Sequence, residues 1–437
     1  MAKLFGVLVL TAALPVRAQQ TSPSRLPAAE TVSSLTDDGL FGEQETLEAE
    51  SLVELVLARN PSLEAMFHAW RAAAQRYPQA IALDDPMFMG MIGPASFNSD
   101  LVDPGYTLQA SQKIPWCGKR QARGRAAAAD ARAMLGDARD ERLAVALLAR
   151  SAFYEYFLVH RLLDLNQLNR QVVRSFHDAA QSKYENNQVT EQDVLEADIE
   201  LAEIERQQIE LERLRTTAIA RINTLLLRVP SAEIPLPPGT LALPPEVPSA
   251  DMLREVAASQ RPDLSAAAAR TRAEQANLTL AMKQYYPDVD VFGRYDAFWQ
   301  ERELRPAVGV NMNVPIYHRK LSAGVCEARF RVAQRRAEYE QKLATVQFEV
   351  QNAHAQVDES LRTVELYATK ILPTAERSVS VARSNYDVGK VNFLWLTETQ
   401  RKYIELREQH QRALAELHSR IAALERAVGS PLPTIVP

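Results

Sequence analysis

An internal duplication constrains this chain more than any other feature. Asn60-Pro61-Ser62-Leu63 returns as Arg261-Pro262-Asp263-Leu264, about 201 residues later. Ile114-Pro115 returns as Val314-Pro315, and Tyr184, Asn187 and Val189 return as Tyr386, Gly389 and Val391. The offset stays near 200 residues throughout, far longer than a solenoid unit. Each half is therefore one copy of a large architectural element, and a reading of one half can be checked on the other.

Both copies are dominated by helix. From Gly118 to Val229 there is no proline and no glycine beyond Gly136, and Ala, Leu, Arg, Glu and Gln prevail, all strong helix formers. Apolar residues recur at steps of three and four, as in Leu143, Leu147, Tyr154, Leu158 and Leu162, the period of an amphipathic helix. The pattern predicts a helix of about 65 residues, a break at Asn186-Asn187, and a second helix of about 40. At 1.5 Å per residue the longer one approaches roughly 100 Å, which requires an elongated coiled-coil body. The second half repeats this over Leu321 to Val428, with Pro373 expected to kink or break it. Gly389 suits a chain reversal because glycine tolerates left-handed backbone, and Asn187 holds the equivalent place as the next-best residue. Two antiparallel helical hairpins are expected.

Four short runs follow a period of two instead. Val289, Val291, Tyr295, Ala297 and Trp299 alternate with Asp288, Asp290, Arg294 and Asp296. Val308, Val310, Met312, Val314 and Ile316 alternate with Gly309, Asn311 and Asn313. In the first half Tyr106, Leu108, Ala110 and Ile114 oppose Thr107, Gln109, Ser111 and Lys113, and a weaker run spans Met87 to Met91. One apolar and one polar face is the signature of a transmembrane barrel strand. Four strands are too few to close a barrel, and an open edge in lipid leaves backbone groups unpaired. Several chains must then share one barrel, under closed cyclic symmetry.

Composition narrows the function. Apolar residues make up 46% and charged residues 24%, enough for a substantial core. A net charge of -5 argues against nucleic acid as a partner. The two cysteines, Cys117 and Cys326, occupy non-equivalent repeat positions and form no C-x-x-C pair, so neither a disulfide scaffold nor a zinc site is expected. Seven histidines show no ligand spacing, and no nucleophile elbow or phosphate-binding loop occurs. No catalytic, cofactor or metal residues are assigned. Lys3, the apolar run Leu4 to Leu14 and Val16-Arg17-Ala18 read as an export signal over 1–18. No long apolar run follows, which speaks against helical membrane insertion.

The expected organisation is a flexible segment over 19–48, a first repeat over 49–229 and a second over 249–428. Strands are expected at about 80–92, 105–116, 287–300 and 305–317. A Pro-rich connector covers 230–248 and a tail covers 429–437. Six prolines between Pro235 and Pro248 keep the connector out of a helix.

Taken together, these motifs resemble the TolC-like outer-membrane efflux proteins. The resemblance is carried by Asn60 to Leu63, by Gln112-Lys113-Ile114-Pro115-Trp116 with Gly118-Lys119-Arg120, by Tyr386-Asp387-Val388-Gly389-Lys390-Val391, and by the repeat itself. The run Gln112 to Arg120 looks most like the heavy-metal efflux branch. The resemblance implies a homotrimer with a twelve-stranded outer-membrane barrel and a long periplasmic α-barrel. It implies docking to a periplasmic adaptor and an inner-membrane pump; an enzyme is not expected, because the residues offer no catalytic constellation. Adaptor contact falls on the hairpin tips: Asn187, Gln188 and Val189, and Val388, Gly389 and Lys390. Family members often carry acidic residues six and nine positions after the second tip glycine, where they narrow the channel mouth. Here Trp395 and Glu398 hold those positions, while Asp193 and Glu196 hold them in the first half. Trp395 departs from the pattern. A solvated helix face is the competing reading of Asp193 and Glu196.

Met87, Met89 and Met91 share one strand face, and thioethers suit soft metals; packing against lipid or neighbours is preferred. For Lys119 and Arg120 an interfacial or helix-start role is preferred over substrate binding, and for Cys117 a packed side chain. A periplasmic coiled-coil adaptor without a barrel is the alternative overall. The alternating runs discriminate, because an adaptor needs no strands with an apolar outer face.

Overall fold

The computed structural model describes residues 41, 46–98, 102–242 and 247–432; the expected signal, most of the leader, part of the connector and most of the tail lie outside them. The first repeat runs α1 (Ala49–Arg59), α2 (Pro61–Ala74), α3 (Arg76–Ile81), β1 (Met87–Ile92), β2 (Tyr106–Ile114), α4 (Lys119–Glu185) and α5 (Glu191–Leu225). The second runs α6 (Ala250–Gln260), α7 (Pro262–Lys283), β3 (Val289–Asp296), β4 (Pro306–Met312), α8 (His318–Leu366), α9 (Leu372–Asp387) and α10 (Phe393–Val428). A π-helical turn, Tyr367–Ile371, joins α8 to α9. Pro373 thus sits in the first turn of α9, where its missing N–H costs little, and the preceding carbonyls are reorganised in the π turn rather than the helix being severed.

The duplication extends to the packing. One core joins Leu52, Val56, Leu63, Val145, Ala149 and Tyr156. The other joins Leu253, Ala257, Leu264, Val346, Val350 and Val357, each 201 positions after its counterpart. The helix starts have diverged. Asn60 caps α2, its side-chain oxygen accepting from the Ser62 and Leu63 amides. Arg261 gives no such cap; it pairs with Asp263 in the first turn of its own helix at 2.7 Å and reaches beyond it to Glu349 at 2.6 Å and to the Ala427 carbonyl at 3.1 Å. Lys342 also reaches Asp263, at 2.8 Å, so a four-residue network, buried at Arg261 and Asp263 and partly exposed at Glu349 and Lys342, ties α7 to α8 and α10.

The two repeats meet where α4 packs along α7, through alanines at 122, 126, 129 and 133 against those at 266, 269, 273 and 276. Gly136 marks the tightest approach: a Cβ there would lie 2.8 Å from the Pro262 carbonyl oxygen and the Ala266 Cβ. α4 does contain an 18-residue window apolar enough to cross a membrane by composition, contrary to the absence expected from sequence. Its apolar positions pack against α1, α2, α5, α7 and α10, so the window reflects a helix with several partners rather than a bilayer span.

Two boundaries differ from expectation. The first strand begins at Met87 and not near residue 80, because Arg76–Ile81 form a helical turn ending in the extended segment before Pro86. The flexible segment does not reach residue 48. Leu47 is fully buried, its amide donates to the Leu236 carbonyl at 2.9 Å, and Phe41 packs in the first core. Burial of large apolar side chains is what favours the contacts of Phe41 and Leu47 with the body.

Candidate functional site: the membrane sheet and the hairpin tips

The four strands form one antiparallel sheet in the order β1-β2-β3-β4. Each repeat contributes a hairpin, and β2–β3 joins the repeats, with Gln109 opposite Arg294 and Lys113 opposite Asp290. Directly opposed residues share a face, so the register sorts the sheet. One face carries Phe88, Ile92, Leu108, Val291, Tyr295, Val308 and Val310; the other carries Thr107, Gln109, Ser111, Asp290, Arg294 and Asp296. Nine residues of β2 at about 3.4 Å each span roughly 30 Å. Aromatic pairs lie at both ends of this band: Tyr106 stacks on Tyr295 with centroids 5.9 Å apart, and Trp116 on Tyr286 at 5.4 Å. Amphipathic rings at both boundaries are what a bilayer interface favours.

A buried ion pair fixes the sheet to the helices. Lys119 is 1% exposed; its Nζ donates to Asp288 Oδ1 and to the Tyr286 carbonyl, both at 2.8 Å. The same Asp288 oxygen accepts from the Trp116 amide at 2.9 Å. Lys119 opens α4 in the first repeat and Asp288 precedes β3 in the second, so this contact holds both crossovers together. Arg120 anchors locally, its Nε donating to the Ile81 carbonyl at 2.7 Å.

At the far end both hairpins reverse through the same capping geometry. The Gln188 amide donates to Lys183 O and Asn187 to Tyr184 O; 202 residues on, Lys390 donates to Asn385 O and Gly389 to Tyr386 O. Asn187 at φ 54° and Gly389 at φ 71° supply the left-handed residue, giving the paired bonds of a Schellman cap. The tips are linked to one another. Lys183 Nζ donates to the Tyr386 carbonyl at 3.0 Å and stands 3.9 Å from the centre of that ring.

A family model described as outer membrane efflux protein matches residues 52–226 and 253–430, one stretch per repeat and most of the chain. The chain belongs to the outer membrane efflux protein family. Among solved structures, the efflux channel is similar to the outer membrane protein VceC of Vibrio cholerae: 19% identity, TM-score 0.73, over 88% of this chain and 97% of that one. The outer-membrane channel OprN gives 19%, 0.71, 87% and 90%, and the CmeC outer membrane channel of Campylobacter jejuni 15%, 0.71, 92% and 93%. No curated protein matches. The efflux channel is thus an outer-membrane protein with a large periplasmic helical body, serving tripartite efflux; the barrel-free adaptor alternative is not favoured.

Five of the six predicted tip residues lie around one cleft, and Asn187, which supplies the left-handed reversal, is not in its lining. Gln188, Val189, Val388, Gly389 and Lys390 line one cleft of about 550 Å3 between the hairpins, with Asp193, Lys183 and Tyr386. Glu196 lies one turn further along α5, held by Gln192 Nε2 at 3.1 Å. Burial, then Glu196, pushes the Asp193 carboxyl above its ordinary range, with Lys183 opposing. On α10, Trp395 and Glu398 are exposed; Asn392 caps that helix by accepting from the Trp395 amide at 3.0 Å.

Three features escaped the sequence. Tyr386 is buried where its repeat partner Tyr184 is 40% exposed, and its phenol, pushed up to about 12 chiefly by burial, has no hydrogen-bond partner among the described residues. Glu200 pairs with Arg401 across the hairpins. Met87, Met89 and Met91 stand opposite Ser111, Gln109 and Thr107, on the polar face and not on the lipid face. The repeat itself was the signal for Tyr386, since aligned residues with different neighbours mark where the copies diverge. Cys117 is exposed rather than packed.

Proposed function

We propose that three copies close a twelve-stranded barrel and form an exit duct, gated at its periplasmic end and docked there to an adaptor and an inner-membrane pump. The observation that carries this reading is the sheet. Among the described residues β1 and β4 each have a single strand neighbour, yet one face is apolar enough for lipid. Backbone edges cannot be left open in a bilayer, and copies of the same chain offer matching edges. The two tips, with equivalent backbone geometry 202 residues apart, present adaptor sites at Asn187, Gln188 and Val189 and at Val388, Gly389 and Lys390.

In this reading Asp193 and Glu196 form acidic rings that favour cations at the mouth, with Glu398 contributing one further ring and Trp395 a bulky collar. The Lys183–Tyr386 contact holds the hairpins together at rest. The test is the mass of the detergent-solubilised channel together with its conductance in a planar bilayer. A trimer with cation-selective conductance that falls on Asp193→Asn/Glu196→Gln is expected. A soluble monomer or hexamer without conductance would refute the duct.

A further inference from the structure

We infer that Met87, Met89 and Met91 form a thioether ladder on the inner wall of the barrel that binds soft monovalent cations, copper(I) or silver(I), in transit. This rests on the duct reading above. The argument begins with the register. β1 alone carries no polar–apolar contrast, because Phe88 and Ile92 alternate with the methionines. Pairing with β2 settles it: the methionines oppose Ser111, Gln109 and Thr107, which in turn oppose Phe292, Arg294 and Asp296 on β3. All three methionines therefore share the water-facing side, and they are 51–73% exposed.

Apolar side chains on a wet wall forfeit the stabilisation that burial gives, so the fold does not require them there. Methionine has a second property that leucine lacks, a polarisable sulfur that is a ligand for soft metals. Alternate residues along a strand are about 7 Å apart, within reach of two flexible thioethers converging on one ion. A cation bound by one pair can then pass to the next along the strand.

An independent feature leads into the ladder. Where the sheet meets the helices, a cleft of about 530 Å3 is lined by Met87 together with Asp84, Asp85, Asp288 and Asp290. Lys113 lies in the same cleft, 4.0 Å from Asp84, and Lys119 occupies Asp288, which leaves Asp85 and Asp290 without an ion-pair partner among the described contacts. A cation rising from the helical body meets carboxylates first and sulfur next, a sequence that concentrates charge before selecting for softness.

The test uses the full chain carrying Cys117→Ser and Cys326→Ser, since both thiols are exposed and bind the same ions. Silver(I) in nitrate buffer is added to the detergent-solubilised channel, and bound metal is measured by mass spectrometry; block of bilayer conductance by silver is measured in parallel. Replacing all three methionines by leucine conserves volume and should keep the basal conductance while weakening silver binding and block by about tenfold or more. Unchanged silver binding in the triple leucine variant would overturn the ladder. Conductance absent from both proteins would instead overturn the duct, and the bound-silver comparison would still decide the ladder on its own.

Discussion

Replacing Lys119 by methionine should loosen the four-stranded sheet from the helical body. The substitution keeps the length of the stem and removes the charge, so packing loss is small. What remains is an Asp288 carboxylate, 14% exposed, that keeps the Trp116 amide and the more distant charge of Lys113, and a Tyr286 carbonyl without its donor. Breaking a buried pair from one side costs roughly 3–5 kcal/mol. The partial exposure of Asp288 and its bond from Trp116 place this case at the low end, about 3 kcal/mol, a factor of over a hundred in the folded-to-unfolded ratio. Trp116 lies against the pair, so its emission reports local opening during urea titration of the solubilised channel. Adding Asp288→Asn removes the stranded charge while preserving an acceptor for Trp116. The double variant should therefore be more stable than the sum of the single effects implies, by about 1–3 kcal/mol. Lys119→Met within about 0.5 kcal/mol of the parent, or strictly additive effects, would refute the reasoning.

The other predictions concern the tips and the interior. Gly389→Val forces a branched side chain into left-handed backbone and should cost about 1–2 kcal/mol, read as faster proteolysis at the tip, whereas Asn187→Gly should be tolerated. Tyr386→Phe should leave thermal stability unchanged or slightly raised, because the phenol it removes is buried and unpartnered among the described residues; a large loss would refute this. Gly136→Val should destabilise by about 1–3 kcal/mol through overpacking against α7, measured by denaturant midpoint. Arg261 and Lys342 hold Asp263 well below the usual carboxylate range, though burial alone would raise it. A depressed carboxylate stabilises the fold above its ordinary range and loses that contribution as pH falls through the folded value. Asp263→Asn should therefore lower stability at neutral pH and flatten the acid limb of the stability profile.

Much of this architecture is legible in the sequence because it rests on local rules. Asn187 and Gly389 announce reversals by their backbone tolerance, and the alternation in β3 and β4 announces a two-faced sheet. The methionines of β1 were not legible, since both faces of that strand are apolar and only the partner's register tells them apart. Lys183 was invisible for a related reason: its contact is with Tyr386, 203 residues away, and nothing local singles it out. The start of β1 was misplaced because the alternation fades where Arg76–Ile81 turn into helix. Roles at the tips depend on neighbours in an assembly, which no single chain encodes in its local pattern.

The π-helical turn coincides with a one-residue difference in length between the two copies. Core residues before it, Val145 and Tyr156, align with Val346 and Val357 at 201 positions. Residues beyond it align at 202: Ala180 with Ala382, both buried at the tip, and Leu226 with Val428. The second copy is one residue longer between 357 and 382 than the first is between 156 and 180, and the turn at Tyr367–Ile371 lies within that interval. A one-residue insertion in a continuous α-helix would rotate everything downstream by about 100°, turning Ala382 and Tyr386 out of the core. A π turn takes up the added residue locally, so the ancestral faces survive below it. The two legs thus keep a common tip geometry while differing in stiffness, a single uninterrupted rod in one copy and a rod with a joint in the other.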